Sequence, residues 1–112
     1  GYSKCNICTV SDNAIITSDA GIINTLTKQG IDCLQIREGH IDIFQWDYGF
    51  IGGASGKLDN STLAFCGDIS LHPDYDKISD FCAKYNVNCT SLSKKRLTDL
   101  GSIIIIDNST TV

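Results

Sequence analysis

The sequence has no methionine, a single proline and a single tryptophan. Among its 13 acidic residues only Glu38 is a glutamate, and the others are all aspartates. Aspartate competes with the helical backbone for hydrogen bonds and favours caps and turns. This composition therefore excludes long helices and predicts many short elements joined by tight turns. The missing methionine at position 1 predicts a processed chain or a fragment.

The chain also lacks any apolar run near the ~18 residues that a membrane-spanning helix needs, and no signal-peptide pattern opens it. Nine basic residues against 13 acidic ones give a net charge of −4 and a pI near 4.8. An acidic chain has no general basic face for nucleic acid or an anionic membrane. We therefore expect a cytoplasmic single domain, or a fragment of one, spanning residues 1–112, without a nucleic-acid or membrane partner.

Six cysteines in a small secreted protein would suggest a disulfide framework. Four of these cysteines lie inside apolar segments, where free cysteine behaves as a small hydrophobic residue, so we predict reduced, buried thiols. Cys5 and Cys8 have the spacing of zinc sites and of redox pairs. No second pair accompanies them and their segment is typical of a strand, so we predict neither a metal nor a cofactor. The six residues are Cys5, Cys8, Cys33, Cys66, Cys82 and Cys89.

The order strand, strand, helix, strand occurs twice along the chain, with a period of about 50 residues. The first unit covers residues 4–47 and the second covers residues 48–99. In the first unit the predicted elements are strands at 4–10 and 14–17, a helix at 20–29 after the caps Ser18 and Asp19, a stop at Gly30, and a strand at 31–36.

The second unit repeats this order and is followed by one more strand at 101–106. Its predicted elements are strands at 48–53 and 62–66, a helix at 74–85 with His72 as N-cap and Pro73 in the first position, a stop at Asn86, and a strand at 87–92. The glycines at 52–56 run into a hairpin and not into a helix, which favours a tightly packed strand over a phosphate loop.

A single ββαβ unit cannot bury both faces of its strands, so units of this kind need neighbours. Two units and one further strand therefore predict part of a larger closed structure. As partners we expect a second copy of the chain, in a homo-oligomer, or a missing N-terminal half of a longer chain.

The repeated unit resembles the pentein fold of the guanidino-group-modifying enzymes, which are five-bladed α/β propellers. Four segments are similar to the C-terminal half of a bacterial family that is grouped with this fold and has no assigned activity. The segments are residues 1–5, 48–56, 65–68 and 99–103. The resemblance implies an α/β fold with two ββαβ repeat units plus a terminal strand, forming part of a pentein propeller.

Enzymes of this fold use a cysteine nucleophile near the C-terminus, a histidine as general acid and base, and carboxylates that hold the guanidinium. The run Gly39-His40-Ile41-Asp42 is similar to the motif that supplies the histidine and one carboxylate in agmatine deiminases. This similarity makes His40 and Asp42 the candidate catalytic residues. In an extended strand both would project to one face, with Ile41 and Ile43 on the opposite, core-facing side.

The strand at 101–106, where the resemblance places the nucleophile, contains no cysteine. Ser102 would need an adjacent base in order to attack at neutral pH. We therefore predict a non-catalytic protein with a binding or scaffolding role. The alternative is a hydrolase or deiminase that acts on a small guanidino compound, with His40 and Asp42 in its site.

Overall fold

The computed structural model describes residues 6–41, 49 and 51–99, together with the backbone of two short strands beyond them. The first unit contains β1 (Cys8–Ser11), β2 (Ala14–Thr17), α1 (Ala20–Thr27) and β3 (Asp32–Gln35). The second contains β4 (Ser55–Asp59), β5 (Thr62–Phe65), α2 (Tyr75–Lys84) and β6 (Asn88–Ser91). The last two strands are β7 (Ile105–Ile106) and β8 (Ser109–Thr110).

The two units have the same topology, which confirms the predicted mixed α/β repeat. Each forms a three-stranded sheet in the order β1-β2-β3 or β4-β5-β6. In each sheet the first pair is antiparallel and the second pair is parallel, with the helix as the crossover between the parallel strands. Both hairpins also carry a register shift one residue before the turn. The shared irregularity shows that the repeat extends to local backbone geometry.

Helix α1 begins at Ala20, as predicted, and ends at Thr27, two residues before the predicted end. The Asp19 side chain accepts hydrogen bonds from the backbone N–H groups of Gly21 at 2.8 Å and Ile22 at 3.2 Å, which satisfies two donors of the first turn. Gly30 has a φ of +83°, and Asn86 has a φ of +59° at the equivalent place after α2. These left-handed residues end the two helices and turn the chain toward the next strand.

Two predicted boundaries in the second unit were wrong. The opening strand expected at 48–53 begins later, as β4, because Ile51–Ala54 form a 3-10 turn whose Ile51 carbonyl accepts the Ser55 hydroxyl at 2.7 Å. His72 is not the N-cap of α2. The Tyr75 N–H donates to the His72 carbonyl in a turn, and α-helical bonding starts only from Asp74, which accepts from Ile78.

One hydrophobic core joins the two units. A hydrogen bond also connects the units, because the ammonium of Lys57 in β4 donates to the Val10 carbonyl of β1 at 2.8 Å. No helix in the described part of the chain is both long and apolar enough to traverse a bilayer. The core includes Val10, Ile16 and Ile36 from the first unit and Leu63, Phe65, Ile78 and Cys82 from the second.

The predicted strand at 101–106 is described at its end only. Ile105 and Ile106 form β7, which pairs antiparallel with β8. Residues 101–104 lie outside the described residues, and so does the serine at position 102 that the sequence offered as a substitute nucleophile.

Candidate functional site

The segment that follows β3, residues 36–41, is anchored to the start of α2 in the other unit. The Arg37 backbone N–H donates to Oδ2 of Asp74 at 2.7 Å, and Nε of the same arginine lies 3.6 Å from Oδ1. The Asp74 side chain is only 3% exposed, whereas that of Arg37 is 65% exposed. The charge of the buried Asp74 carboxylate is therefore balanced by one backbone donor and one guanidinium, while most of the arginine side chain faces solvent.

His40 lies on the surface beside His72. The two ring centroids are 5.7 Å apart and the ring planes meet at 70°, an edge-to-face arrangement. Ile41 is buried, as predicted for the core-facing side. Asp42 and Ile43 lie outside the described residues, and His40 itself belongs to no strand. The pairing of His40 with Asp42 therefore stays a prediction.

His72 is buried, with 4% of its surface exposed. Its Nδ1 accepts the Asp74 backbone N–H at 3.0 Å, so in the neutral ring the proton is on Nε2. That Nε2 is buried and has no hydrogen-bond partner among the described residues. Burial lowers the pKa of His72, the nearby charges of His40 and Arg37 lower it further, and the charge of Asp74 opposes them. The ring is thus held neutral, with one donor unsatisfied.

A cavity of about 360 Å³ is lined in part by Asp74 and lies where β3 ends and both helices begin. In α/β proteins with parallel strands, ligands bind outside the carboxyl ends of the strands, which is where this cavity lies. Its wall is mostly polar and carries two cations and two carboxylates. The lining residues are Ser18, Gln35, Ile36, Arg37, Glu38, Asp74 and Lys77.

The five described cysteines are free. Cys82 is buried as predicted, whereas the prediction of burial was wrong for Cys33, Cys66 and Cys89, which are partly exposed. Burial raises the pKa of Cys8 to about 12. A hydrogen bond to Cys89 and burial raise the pKa of Cys82, and burial followed by the charge of Asp99 raises that of Cys66. Cys89 is the exception, because the hydrogen bond from Cys82 lowers its pKa.

The strand predicted at 4–10 begins later, as Cys8 opens β1 and Asn6 and Ile7 before it are not in a strand, while Cys5 lies outside the described residues. The described part of the chain contains no group of three or more His, Cys, Asp or Glu side chains that could hold a metal ion.

Sequence reasoning missed Asp74 as a site residue and Asp99 as a buried acid. Asp99 is 6% exposed, and its carboxylate occupies the space above Gly53 where a side chain would otherwise begin. The contact joins residues 46 positions apart, so no local pattern could have shown it.

Comparisons with known proteins found a matching family model and a similar solved structure. Agmatine deiminase from C. jejuni is similar with a TM-score of 0.48 and 14% identity, over 95% of this chain and 35% of that enzyme. The chain thus spans about a third of that enzyme's length. No curated protein matches it. The model of the family described as "Family of unknown function (DUF6873)" matches residues 1–104, and the chain therefore belongs to this family.

Proposed function

We propose that this chain is a non-catalytic binding protein built from pentein-type ββαβ units. The observation that carries the proposal is the cavity beside Asp74, which lies at the carboxyl ends of parallel strands and is walled by charged side chains. The repeated unit and the four family-like segments support the pentein part of the proposal.

The state of the cysteines favours binding over guanidine chemistry. Attack on a guanidinium carbon needs a thiolate, and a lowered pKa supplies it. Cys8, Cys66 and Cys82 have raised pKa values. Cys89 has a lowered pKa but packs against the hydrophobic core. Within the described residues, His40 contacts the ring of His72 and makes no hydrogen bond to a thiol.

The proposal is tested by separating binding from turnover. The purified chain is incubated with arginine and with agmatine while release of ammonia and urea is followed, and the same compounds are titrated in ¹⁵N-HSQC spectra. We expect no release above a buffer control. Sustained turnover that is lost in His40→Ala would contradict the proposal and establish the guanidino-hydrolase alternative.

We further propose that the chain functions next to other ββαβ units, either in a second copy or in an N-terminal half. Each described sheet has only three strands, and their outer strands are open to pairing unless another segment covers them. Light scattering at increasing protein concentration should give a mass above 12.1 kDa. A constant monomer mass would refute self-association.

A further inference from the structure

Two cations of the cavity wall have nitrogen donors that no described residue engages. Arg37 contacts Asp74 through its backbone N–H and Nε, which leaves the two terminal guanidinium nitrogens toward solvent. Lys77, in the first turn of α2, is exposed and has no hydrogen bond or ion pair with any residue in 6–41, 49 or 51–99. Both residues line the cavity, so unused charged donors are present in its wall.

The two carboxylates of the same wall are already engaged. Asp74 is buried and receives both contacts from Arg37. Glu38 also has an interaction partner in the structure. Both carboxylates thus have partners within the protein, whereas the two cations keep donors that no described residue engages.

The surroundings favour a negatively charged oxygen group at this position. The Ser18 hydroxyl lines the cavity and has no partner among the described residues. Lysine, arginine and hydroxyl groups are all donors to phosphate and carboxylate oxygens.

We propose that this cavity binds the oxyanion group, phosphate or carboxylate, of a small organic molecule. The proposal rests on the binding function proposed above and names its ligand class. At about 360 Å³ the cavity exceeds the size of an isolated phosphate and falls in the range of small-molecule sites. Arg37 and Lys77 bind the oxyanion, and the remaining volume accepts the uncharged part of the molecule.

The test is a titration in ¹⁵N-HSQC spectra at low salt with inorganic phosphate, glycerol 3-phosphate, succinate and agmatine as probes. We expect saturable shifts at the amides of Arg37 and Lys77 with at least one of the three anions. Tighter binding of glycerol 3-phosphate than of inorganic phosphate and succinate identifies an organic phosphate, and tighter binding of succinate identifies a carboxylate.

Three variants measure the contribution of each cation. Lys77→Gln and Arg37→Gln should each weaken anion binding about fivefold, since an exposed charge-assisted hydrogen bond is lost. Lys28→Gln is the matched control, because it removes the same charge from an exposed position directly after α1 and should leave the affinity unchanged. Lys77 is exposed, so Lys77→Gln tests the site even where Arg37→Gln disturbs the contact with Asp74.

The outcomes separate the ligand class from the binding function. Equal weakening by Lys28→Gln, or the absence of saturable shifts with all three anions, overturns the oxyanion proposal. Saturable shifts with agmatine alone also overturn it but leave a binding function at this cavity intact. Turnover of agmatine refutes the non-catalytic function. It does not decide the oxyanion proposal, which the anion titration tests separately.

Discussion

Replacing Gly53 by alanine should destabilise the fold through one steric collision. Gly53 is buried in the 3-10 turn before β4, and a Cβ built on it would lie 1.7 Å from Oδ1 and 2.3 Å from Cγ of Asp99. Non-bonded heavy atoms need about 3.5 Å, so the turn or the carboxylate must move by well over 1 Å. Gly53 does not have a positive φ, so the cost is steric and not conformational.

The size of the effect follows from two contributions. Overpacking a buried position costs about 1–3 kcal/mol. Asp99 is 6% exposed and has an interaction partner, and displacing a buried polar group from its partner costs about 1–3 kcal/mol more. We therefore expect a loss of about 3–5 kcal/mol in the free energy of unfolding, which is a large part of the roughly 5–15 kcal/mol of an ordinary domain.

Urea unfolding followed by far-UV circular dichroism measures this loss. The free energy of unfolding of a domain of this size falls by about 1.5 kcal/mol per molar urea. The urea midpoint should therefore fall by about 2 M or more in Gly53→Ala. Gly21→Ala is the control, because the nearest atom to its Cβ is the Asp19 carboxylate oxygen at 3.1 Å, in an exposed helix. The control should change stability by less than about 1 kcal/mol.

A double-mutant cycle decides whether Asp99 causes the loss. In an Asp99→Ala background the carboxylate is gone, and Gly53→Ala should cost at least about 2 kcal/mol less than in the native background. In an Asp99→Asn background the shape is kept and no relief is expected. Equal costs of Gly53→Ala in the native and Asp99→Ala backgrounds would refute the steric argument.

The order of elements could be predicted from the sequence because its signals are local. Asp19 lies two and three residues from the N–H groups that it caps, and Gly30 and Asn86 end their helices through their own backbone angles. The apolar periodicity of each helix and strand likewise spans only a few residues. Such signals act within one element, so the element order of both ββαβ units can be predicted from the sequence alone.

The site could be predicted only in part, because its contacts join distant segments. Arg37 and Asp74 are 37 residues apart, and nothing within either segment marks them as partners. The His72-Pro73 pair is a good helix-start signal, yet the His72 side chain is buried. It accepts the Asp74 N–H in a turn that precedes the helix. Burial, which determines the protonation of His72, depends on the packing of both units.

Three further measurements test single contacts. Lys57→Met keeps the aliphatic stem but loses the 2.8 Å bond to the Val10 carbonyl, so the urea midpoint should report a loss of about 1–2 kcal/mol. Gly30→Ala should cost about 1 kcal/mol because its φ of +83° disfavours a Cβ, and an unchanged midpoint would contradict this. Last, stability should fall between pH 7 and pH 5 because of His72. Burial holds its folded pKa below the value of about 6.5 expected in the unfolded chain, so the unfolded state takes up the proton first. The contribution of neutral His72 to the free energy of unfolding is therefore complete above about pH 6.5. It is lost as the pH falls toward the folded pKa. In His72→Asn the amide oxygen can still accept the Asp74 N–H. This variant should lose less stability than the native chain over the same pH range, and parallel losses in the two proteins would show that another group is responsible.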